Sequence, residues 1–266
     1  GEERDCAGMK LNVCRRIREI GFLINVPVLK GHCQTKITCA LKNMKGLLPN
    51  SEKRRFHRLG LHDPIAHLSV GIRQDFVLVD SICGDLTFED GGNPVEQNRL
   101  IAGLDPVLVD AFGCFLLGLS VEEVPYLTKA AALEAGSLDI RNARLVFYLE
   151  KTESGRNCYE EADPSGIQRA QGGYGYVMKL AEKAEEVDSC SACYGYLLPA
   201  LEMLEREGLL DSLTEKICIG QGYRGKEGKL GGGNCTRKFQ HSLGGCPPTE
   251  NQMYEFLKEY IRKNEA

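Results

Sequence analysis

Short apolar runs alternate with amphipathic segments along the first half of the chain. The runs Phe22–Val26, Phe76–Val79 and Leu145–Leu149 are rich in β-branched and aromatic residues, which is typical of buried strands. Between them, Asp105 followed by Pro106 predicts the start of an apolar helix, because Asp caps helices and Pro fits their first turn. Strands that alternate with helices predict an α/β fold with a mixed or parallel sheet flanked by helices.

A polar, glycine-rich stretch from Ser154 to Gly175 interrupts this pattern and predicts a domain junction. We therefore expect an α/β domain over residues 1–155. A smaller α/β subdomain, which carries a set of cysteines, is expected over residues 176–266.

Three elements are predicted in this C-terminal part. The segment Tyr196–Glu207 has leucines at helical spacing, and Lys216–Gly220 has the pattern of a strand. Thr249 and Gln252 have the spacing of a capping box, which predicts the start of a final helix. The charged segment Leu180–Asp188 has a helical pattern.

Composition and charge exclude several classes of protein. Hydrophobic residues make up 42% and charged residues 26% of the chain, as in ordinary globular proteins. The longest apolar run, Ala111–Leu119, is about half of what a membrane span needs. A net charge of −4 argues against general affinity for nucleic acids. With no signal-peptide pattern, we expect a cytoplasmic protein that crosses no membrane and binds no nucleic acid.

Twelve cysteines are an unusually large number for 266 residues. Disulfide frameworks belong mainly to small secreted scaffolds, and this chain is long enough to form a core without them. Six cysteines lie singly among apolar or mixed residues and are expected to be small buried hydrophobes. They are Cys14, Cys33, Cys39, Cys83, Cys114 and Cys158. Five C-terminal cysteines are surrounded by glycine, proline or one another: Cys190, Cys193, Cys218, Cys235 and Cys246.

The C-terminal cysteines have the features of iron–sulfur ligands. Cys190 and Cys193 form a C-x-x-C pair before a predicted helix, and Cys246 lies in Gly-Gly-Cys-Pro-Pro before the final helix. Cys235 follows three glycines and an asparagine, where the backbone can approach a bulky group. Helix N-termini stabilise thiolates and an anionic cluster. The prediction is a 4Fe–4S cluster on these four residues, with Cys218 as the weaker candidate inside a strand pattern.

Two other kinds of site also use a C-x-x-C pair. Zinc sites usually combine two short knuckles, whereas Cys235 and Cys246 are separated by ten residues without a second C-x-x-C. A thioredoxin-like redox pair would need a strand directly before Cys190, where the pattern is helical. Zinc and structural or redox thiols remain as alternatives.

A basic segment lies between Lys30 and Arg58, where eight basic residues accompany one acid, Glu52. Such a local excess of positive charge, in a chain whose net charge is negative, favours an anionic ligand. The segment follows a predicted strand, and α/β sheets bind ligands beyond the carboxyl ends of their strands. The alternative is a solvated surface. The predicted anion-binding residues are Lys30, His32, Thr35, Lys42 and Asn43.

Histidines and acidic residues nearby give weaker signals. His57, His62 and His67 recur every five residues, which suits neither one face of a helix nor one face of a strand. Asp80 and Asp85, in an acidic segment after a predicted strand, are candidates for cation binding or acid–base chemistry. Solvation of a loop explains them equally well.

Several spaced motifs resemble a known family. They are VPVLKGH at Val26–His32, TxxTxALKNxKG at Thr35–Gly46, RRxH at Arg54–His57 and AGxDPVxVD at Ala102–Asp110. From about Ile20 to Ala135 the chain resembles the uncharacterised family catalogued as domain of unknown function 362. Its members often carry iron–sulfur clusters, and its domain usually starts upstream of this N-terminus, so the resemblance implies a cluster and a preceding portion. The segment around Cys246 is also similar to a ligand segment in small subunits of hydrogenases and respiratory complexes.

The resemblance implies no settled reaction, and whether the protein is an enzyme stays open. The leading hypothesis is an iron–sulfur protein that acts as a redox enzyme or electron-transfer component. It would bind a small anionic ligand and exchange electrons with a partner. The alternatives are a non-catalytic anion-binding protein with a structural cluster, a zinc-binding protein, and an enzyme that uses the histidines and carboxylates without redox chemistry.

Overall fold

The computed structural model describes residues 1–32, 34–85, 94–149, 158–161, 163, 167 and 179–265. Its helices and strands form an α/β fold with two hydrophobic cores, one from the N-terminal half and one from residue 180 onward. Among the described residues, no helix is both long and apolar enough to cross a membrane.

The N-terminal half combines a small mixed sheet with hairpins and helices. Its strands are β1 (Glu2–Cys6), β2 (Met9–Val13), β3 (Ile24–Asn25), β4 (Lys30–His32), β5 (Lys36–Thr38), β6 (Phe76–Asp85) and β7 (Pro94–Gly103). Strand β6 is the centre of a three-stranded sheet, parallel to β3 and antiparallel to β7. The pairs β1–β2 and β4–β5 are antiparallel hairpins.

Helices cover this sheet and complete the N-terminal core. They are α1 (Ala40–Asn43), α2 (Asn50–Leu59), α3 (His62–Gly71), α4 (Pro106–Leu116) and α5 (Pro125–Ala132). The predicted start of α4 is confirmed, because the Asp105 carboxylate accepts hydrogen bonds from the backbone N–H groups of Val107 at 2.9 Å and Leu108 at 3.0 Å. The side chains of Phe56, Ile65 and Val77 are fully buried in this core.

Two of the three predicted strands are less buried than expected. Only Ile24–Asn25 of the first run form a strand, β3, which lies at the edge of the sheet, and Phe22 and Val26 outside it are 61% and 58% exposed. The third run forms β8 (Val146–Leu149), which pairs antiparallel with β9 (Cys158–Glu161) in a separate hairpin. Its Phe147 and Tyr148 are 41% and 58% exposed. The pattern located three strands, although only two residues of the first run are in one, and it overestimated the burial of the first and third.

The C-terminal part is a parallel sheet with two helices. Its strands are β10 (Ala184–Glu186), β11 (Ile217–Ile219), β12 (Leu230–Gly232) and β13 (His241–Leu243), and its helices are α6 (Ser191–Arg206) and α7 (Glu250–Glu265). All three strand pairs are parallel, and the strands lie side by side in chain order. Helices α6 and α7 pack against each other over this sheet.

Sequence-based predictions for this part are largely confirmed. Thr249 and Gln252 form the predicted capping box, with the Thr249 N–H donating to Gln252 Oε1 at 2.9 Å and the Gln252 N–H donating to Thr249 Oγ1 at 3.3 Å. The expectation of a helix over Leu180–Asp188 holds only for residues 180 and 181, because β10 occupies residues 184–186. This strand lies at the sheet edge, where charged residues reach solvent and hide the strand pattern.

The predicted junction cannot be followed in full, since most of Ser154–Gly175 lies outside the described residues. The domain boundaries at residues 155 and 176 therefore stay predictions. Among the single cysteines, Cys39 and Cys114 are buried as expected, whereas Cys14 is half-buried and Cys83 is exposed. Cys33 and the side chain of Cys158 lie outside the described residues.

Candidate metal centre

Four cysteines line one cavity at the carboxyl edge of the parallel sheet. The cavity has a volume of about 150 Å³. Its cysteines are Cys190, Cys193, Cys235 and Cys246, the set that the sequence singled out. All four are free thiols, and Cys190 and Cys246 are exposed to solvent.

The parallel strand order brings these residues together. Cys190 follows β10 and caps the N-terminus of α6, and Cys193 lies in the first turn of that helix. Cys235 lies in a short 3₁₀ helix, Asn234–Thr236, directly after β12, and Cys246 follows β13. Because parallel strands all end at the same edge, loops that are distant in the chain meet there.

Hydrogen bonds hold the ligand loops against one another. The Asn234 N–H donates to Gly245 O at 2.8 Å, and the Gly245 N–H donates back to Asn234 Oδ1 at 2.9 Å. These two bonds join the loop of Cys235 to the loop of Cys246. The Gln221 N–H donates to Asp188 O at 3.0 Å, which joins the loop after β11 to the loop of Cys190.

Glycines form the wall of the cavity because side chains would fill it. Gly233 has φ +87°, and a Cβ built on it would lie 3.2 Å from Cys193 Sγ. Gly220 has φ +117°, and a Cβ there would lie 2.0 Å from Val187 O. A non-glycine residue is strained at such angles. The glycine-rich loops therefore keep backbone close to the sulfurs and leave the cavity open.

The thiols influence one another electrostatically. Burial raises the pKa of Cys193 to about 12, with smaller contributions from the other three cysteines of the cavity. Burial, followed by the charges of Cys235 and Cys246, also raises the pKa of Cys190. The raised pKa values favour neutral thiols in the free protein, and a bound metal would deprotonate them and offset the repulsion between the thiolates.

Two polar side chains contact the sulfurs, and one of them, Gln221, also lines the cavity. A hydrogen bond with Cys235 raises the pKa of Arg224, and the nearby charges of Cys190 and Cys246 act in the same direction. Gln221 Nε2 donates to Cys190 Sγ at 3.7 Å. Both residues follow β11, and the sequence analysis missed them because nothing in their local pattern indicates contact with a cysteine.

Cys218 lies apart from this cavity. It is the central residue of β11, its side chain is half-buried, and it is not among the residues that line the cavity. Burial raises the pKa of its thiol, and a hydrogen bond with Tyr223 partly offsets this effect. The geometry therefore favours the four cysteines chosen from the sequence over any set that includes Cys218.

The spacing of the four sulfurs bears on the kind of metal. Within the part of the chain that the structure describes, no three His, Cys, Asp or Glu side chains are grouped closely enough to hold a metal ion. Tetrahedral zinc with Zn–S bonds of ~2.3 Å needs its sulfurs within ~4 Å of one another. A cubic iron–sulfur cluster keeps its ligands farther apart. The four cysteine thiols that line the cavity are a donor set that an iron–sulfur cluster uses, and zinc also binds four cysteines.

A second candidate site lies on the basic segment. Four of the five predicted anion-binding residues line one cleft of about 380 Å³, together with four neighbours. The full lining is Lys30, His32, Thr38, Lys42, Asn43, Lys45, Gly46 and Lys53. The fifth predicted residue, Thr35, is fully buried, and its hydroxyl donates to Ile37 O at 3.0 Å. Thr38, three residues along the hairpin, contributes the hydroxyl instead.

A buried carboxylate fixes the helix that carries part of this cleft. Asp110 accepts hydrogen bonds from the Ala40 N–H at 2.6 Å and the Leu41 N–H at 3.2 Å, at the start of α1. It also accepts one from the Tyr126 hydroxyl at 3.3 Å. Burial raises the pKa of Asp110 to about 6. No role was predicted for this residue, although it ends one of the family motifs.

Gln34 joins the turn between β4 and β5 to the loop before Cys190. Its Nε2 donates to Ser189 O at 3.1 Å and to Ser189 Oγ at 3.2 Å, directly before Cys190. Gln34 also borders a cavity of about 250 Å³ with His57, His62 and residues of the β10 loop. The third histidine, His67, lies elsewhere, with Nδ1 at 2.8 Å from Cys6 O.

Comparison with known proteins bears on the N-terminal half. The family model described as Domain of unknown function (DUF362) matches residues 3–115. Residues 3–115 are therefore similar to this family over somewhat less than half of the chain. This match includes the lysine-lined cleft and ends before the four cysteines of the cavity. Neither the curated proteins nor the solved structures contain a match to the chain. The match to a family of unknown function therefore assigns no reaction to the chain.

Proposed function

We propose that this protein holds a 4Fe–4S cluster and works in the cytoplasm as a redox enzyme or an electron-transfer component. Its ligands would be Cys190, Cys193, Cys235 and Cys246. One observation carries the proposal: loops after three parallel strands bring these four thiols to a single cavity with glycine walls. Such a cluster supplies one-electron chemistry when bound.

The residues around the cavity suit an anionic cluster. Four thiolates give the cluster a net negative charge, which Arg224 beside Cys235 offsets. The N–H groups at the start of α6 and the amide of Gln221 add donors near the sulfurs. Hydrogen bonds to the sulfurs and a nearby positive charge both raise a cluster's reduction potential.

The position of the cavity suits exchange of electrons with a partner. Cys190 and Cys246 are exposed, so two of the ligands lie at the protein surface. A redox partner could then approach the cluster without any rearrangement of the chain. The lysine-lined cleft supports the second part of the proposal, that the protein binds a small anionic ligand.

The test is metal and sulfide analysis of anaerobically purified protein. We expect a brown protein that absorbs broadly near ~400 nm and contains iron and acid-labile sulfide. Colourless protein with one tightly bound zinc ion would contradict the proposal. A reversible reduction potential in the physiological range would then favour a redox role. A cluster that cannot be reduced in that range would favour a non-catalytic anion-binding protein with a structural cluster.

A further inference from the structure

The lysine-lined cleft gathers donors from five separate elements. Lys30 and His32 come from β4, Thr38 from β5, and Lys42 and Asn43 from α1. Lys45 and Lys53 come from the 3₁₀ helix that follows α1 and from α2. We infer that this cleft binds a phosphoryl group, as a phosphate ester or a diphosphate. The inference deepens the proposed function, since it names the class of the anionic ligand.

The charges of the cleft favour a multiply charged anion. Of the described residues that line it, four are lysines and none is Asp, Glu or Arg. Lysine binds phosphate as a point charge, whereas planar carboxylates are most often recognised by the paired donors of Arg. A phosphate monoester carries about −1.5 to −2 charges at neutral pH, and several ammonium groups can share its oxygens.

His32 adds a ring of fixed orientation to the lining of the cleft. Its Nδ1 accepts hydrogen bonds from the backbone N–H groups of Gln34 at 3.1 Å and Thr35 at 3.2 Å. In the neutral ring, the proton therefore resides on Nε2. The ring is only 3% exposed and lines the cleft, so it meets a ligand in a fixed orientation.

The anchoring of α1 gives the cleft a rigid wall. Asp110 holds the N–H groups of Ala40 and Leu41, and Asn43 Nδ2 donates to Asn25 Oδ1 at 2.7 Å. Lys42 Nζ donates to Thr38 Oγ1 at 2.8 Å, which holds α1 against β5. Tetrahedral anions accept hydrogen bonds from many directions. The cleft offers donors both from α1 and from the hairpin of β4 and β5.

The size of the cleft distinguishes an organic phosphate from a bare ion. Its volume of about 380 Å³ lies within the usual range for small-molecule sites, ~300–1,000 Å³. Inorganic phosphate would fill a small part of it. A second phosphoryl group or an organic moiety would occupy the remainder.

The experiment is calorimetric titration of anaerobically purified protein with pyrophosphate, inorganic phosphate and malonate. We expect pyrophosphate to bind more tightly than phosphate, and malonate to bind more weakly than either. Lys42→Met keeps the aliphatic stem and should weaken pyrophosphate binding at least about tenfold, because a charge-assisted hydrogen bond is lost. Lys53→Ala should weaken it in the same direction.

Arg54→Ala is the matched control. Arg54 is exposed on the same helix as Lys53 and does not line the cleft, so the variant removes one charge without changing the site. Equal binding of malonate and pyrophosphate would overturn the inference. So would equal loss of affinity in Lys42→Met and Arg54→Ala. Absorption near ~400 nm, recorded on the same samples, tests the cluster separately. Coloured protein that fails to bind pyrophosphate would refute the phosphoryl site alone.

Discussion

Replacing Gly233 with Ala tests whether the glycine wall keeps the cysteine cavity open. Gly233 has φ 87° and ψ 164°, a conformation essentially restricted to glycine. Any other residue in this conformation lowers the free energy of unfolding by ~1–3 kcal/mol. The new Cβ would also lie 3.2 Å from Cys193 Sγ and 3.6 Å from Gly245 O. We expect Gly233→Ala to lower the free energy of unfolding by ~1–3 kcal/mol and to crowd the space between the ligand loops.

Gly208→Ala provides the control for backbone strain. Gly208 also has a positive φ, +73°, but a Cβ built on it meets nothing within 4 Å. Urea unfolding should show that both variants are less stable, whereas iron and sulfide analysis should show that only Gly233→Ala loses its cluster. Full iron content in Gly233→Ala would refute the reasoning. Equal iron loss in both variants would show that general instability, and not the shape of the cavity, governs the metal content.

Three further predictions follow from the described contacts. Cys190→Ser should deplete iron, whereas Cys218→Ser should leave iron content unchanged, since Cys218 does not line the cavity. Arg224→Gln removes a positive charge beside Cys235, so the midpoint potential should become more negative, by an amount that shrinks with added salt in potentiometric titrations. Burial raises the pKa of Asp110 from 3.8 to about 6, so folded protein holds this proton more tightly than the unfolded chain. The protonated carboxyl contributes its full share of the free energy of unfolding below pH ~4, and this share falls by up to ~3 kcal/mol as the pH rises through ~6. The urea midpoint of Asp110→Asn should therefore not show this fall with pH.

Local signals in the sequence predicted the starts of two helices and singled out the four cysteines that line one cavity. Asp105 with Pro106 and Thr249 with Gln252 mark helix starts because capping is made within one turn of the chain. The cysteines were recognised from flanking glycines and prolines, features that are also local. Their assembly into one cavity required the parallel strand order, which the sequence analysis did not derive.

What the sequence analysis missed depends on distant contacts. Strand β10 is short, charged and at a sheet edge, so its residues do not alternate between apolar and polar as those of a half-buried strand do. Arg224 forms a hydrogen bond with Cys235, and Asp110 accepts one from the Ala40 N–H. Neither contact lies within one turn or hairpin of the chain. Thr35 was predicted to bind the anion, whereas Thr38 lines the cleft. The hairpin turns Thr35 inward and Thr38 toward the cleft, a distinction set by register.

The order of the ligand loops has a consequence for the lifetime of the protein. Cys190 follows the first strand of the parallel sheet and Cys246 follows the last. A cluster on these loops would cross-link the chain between residues 190 and 246, and cross-links of long loops stabilise by ~2–4 kcal/mol, chiefly by restricting the unfolded chain. Oxygen damage to the cluster would then loosen the whole C-terminal sheet and expose it to proteases. The cluster would therefore affect the lifetime of the polypeptide as well as carry electrons.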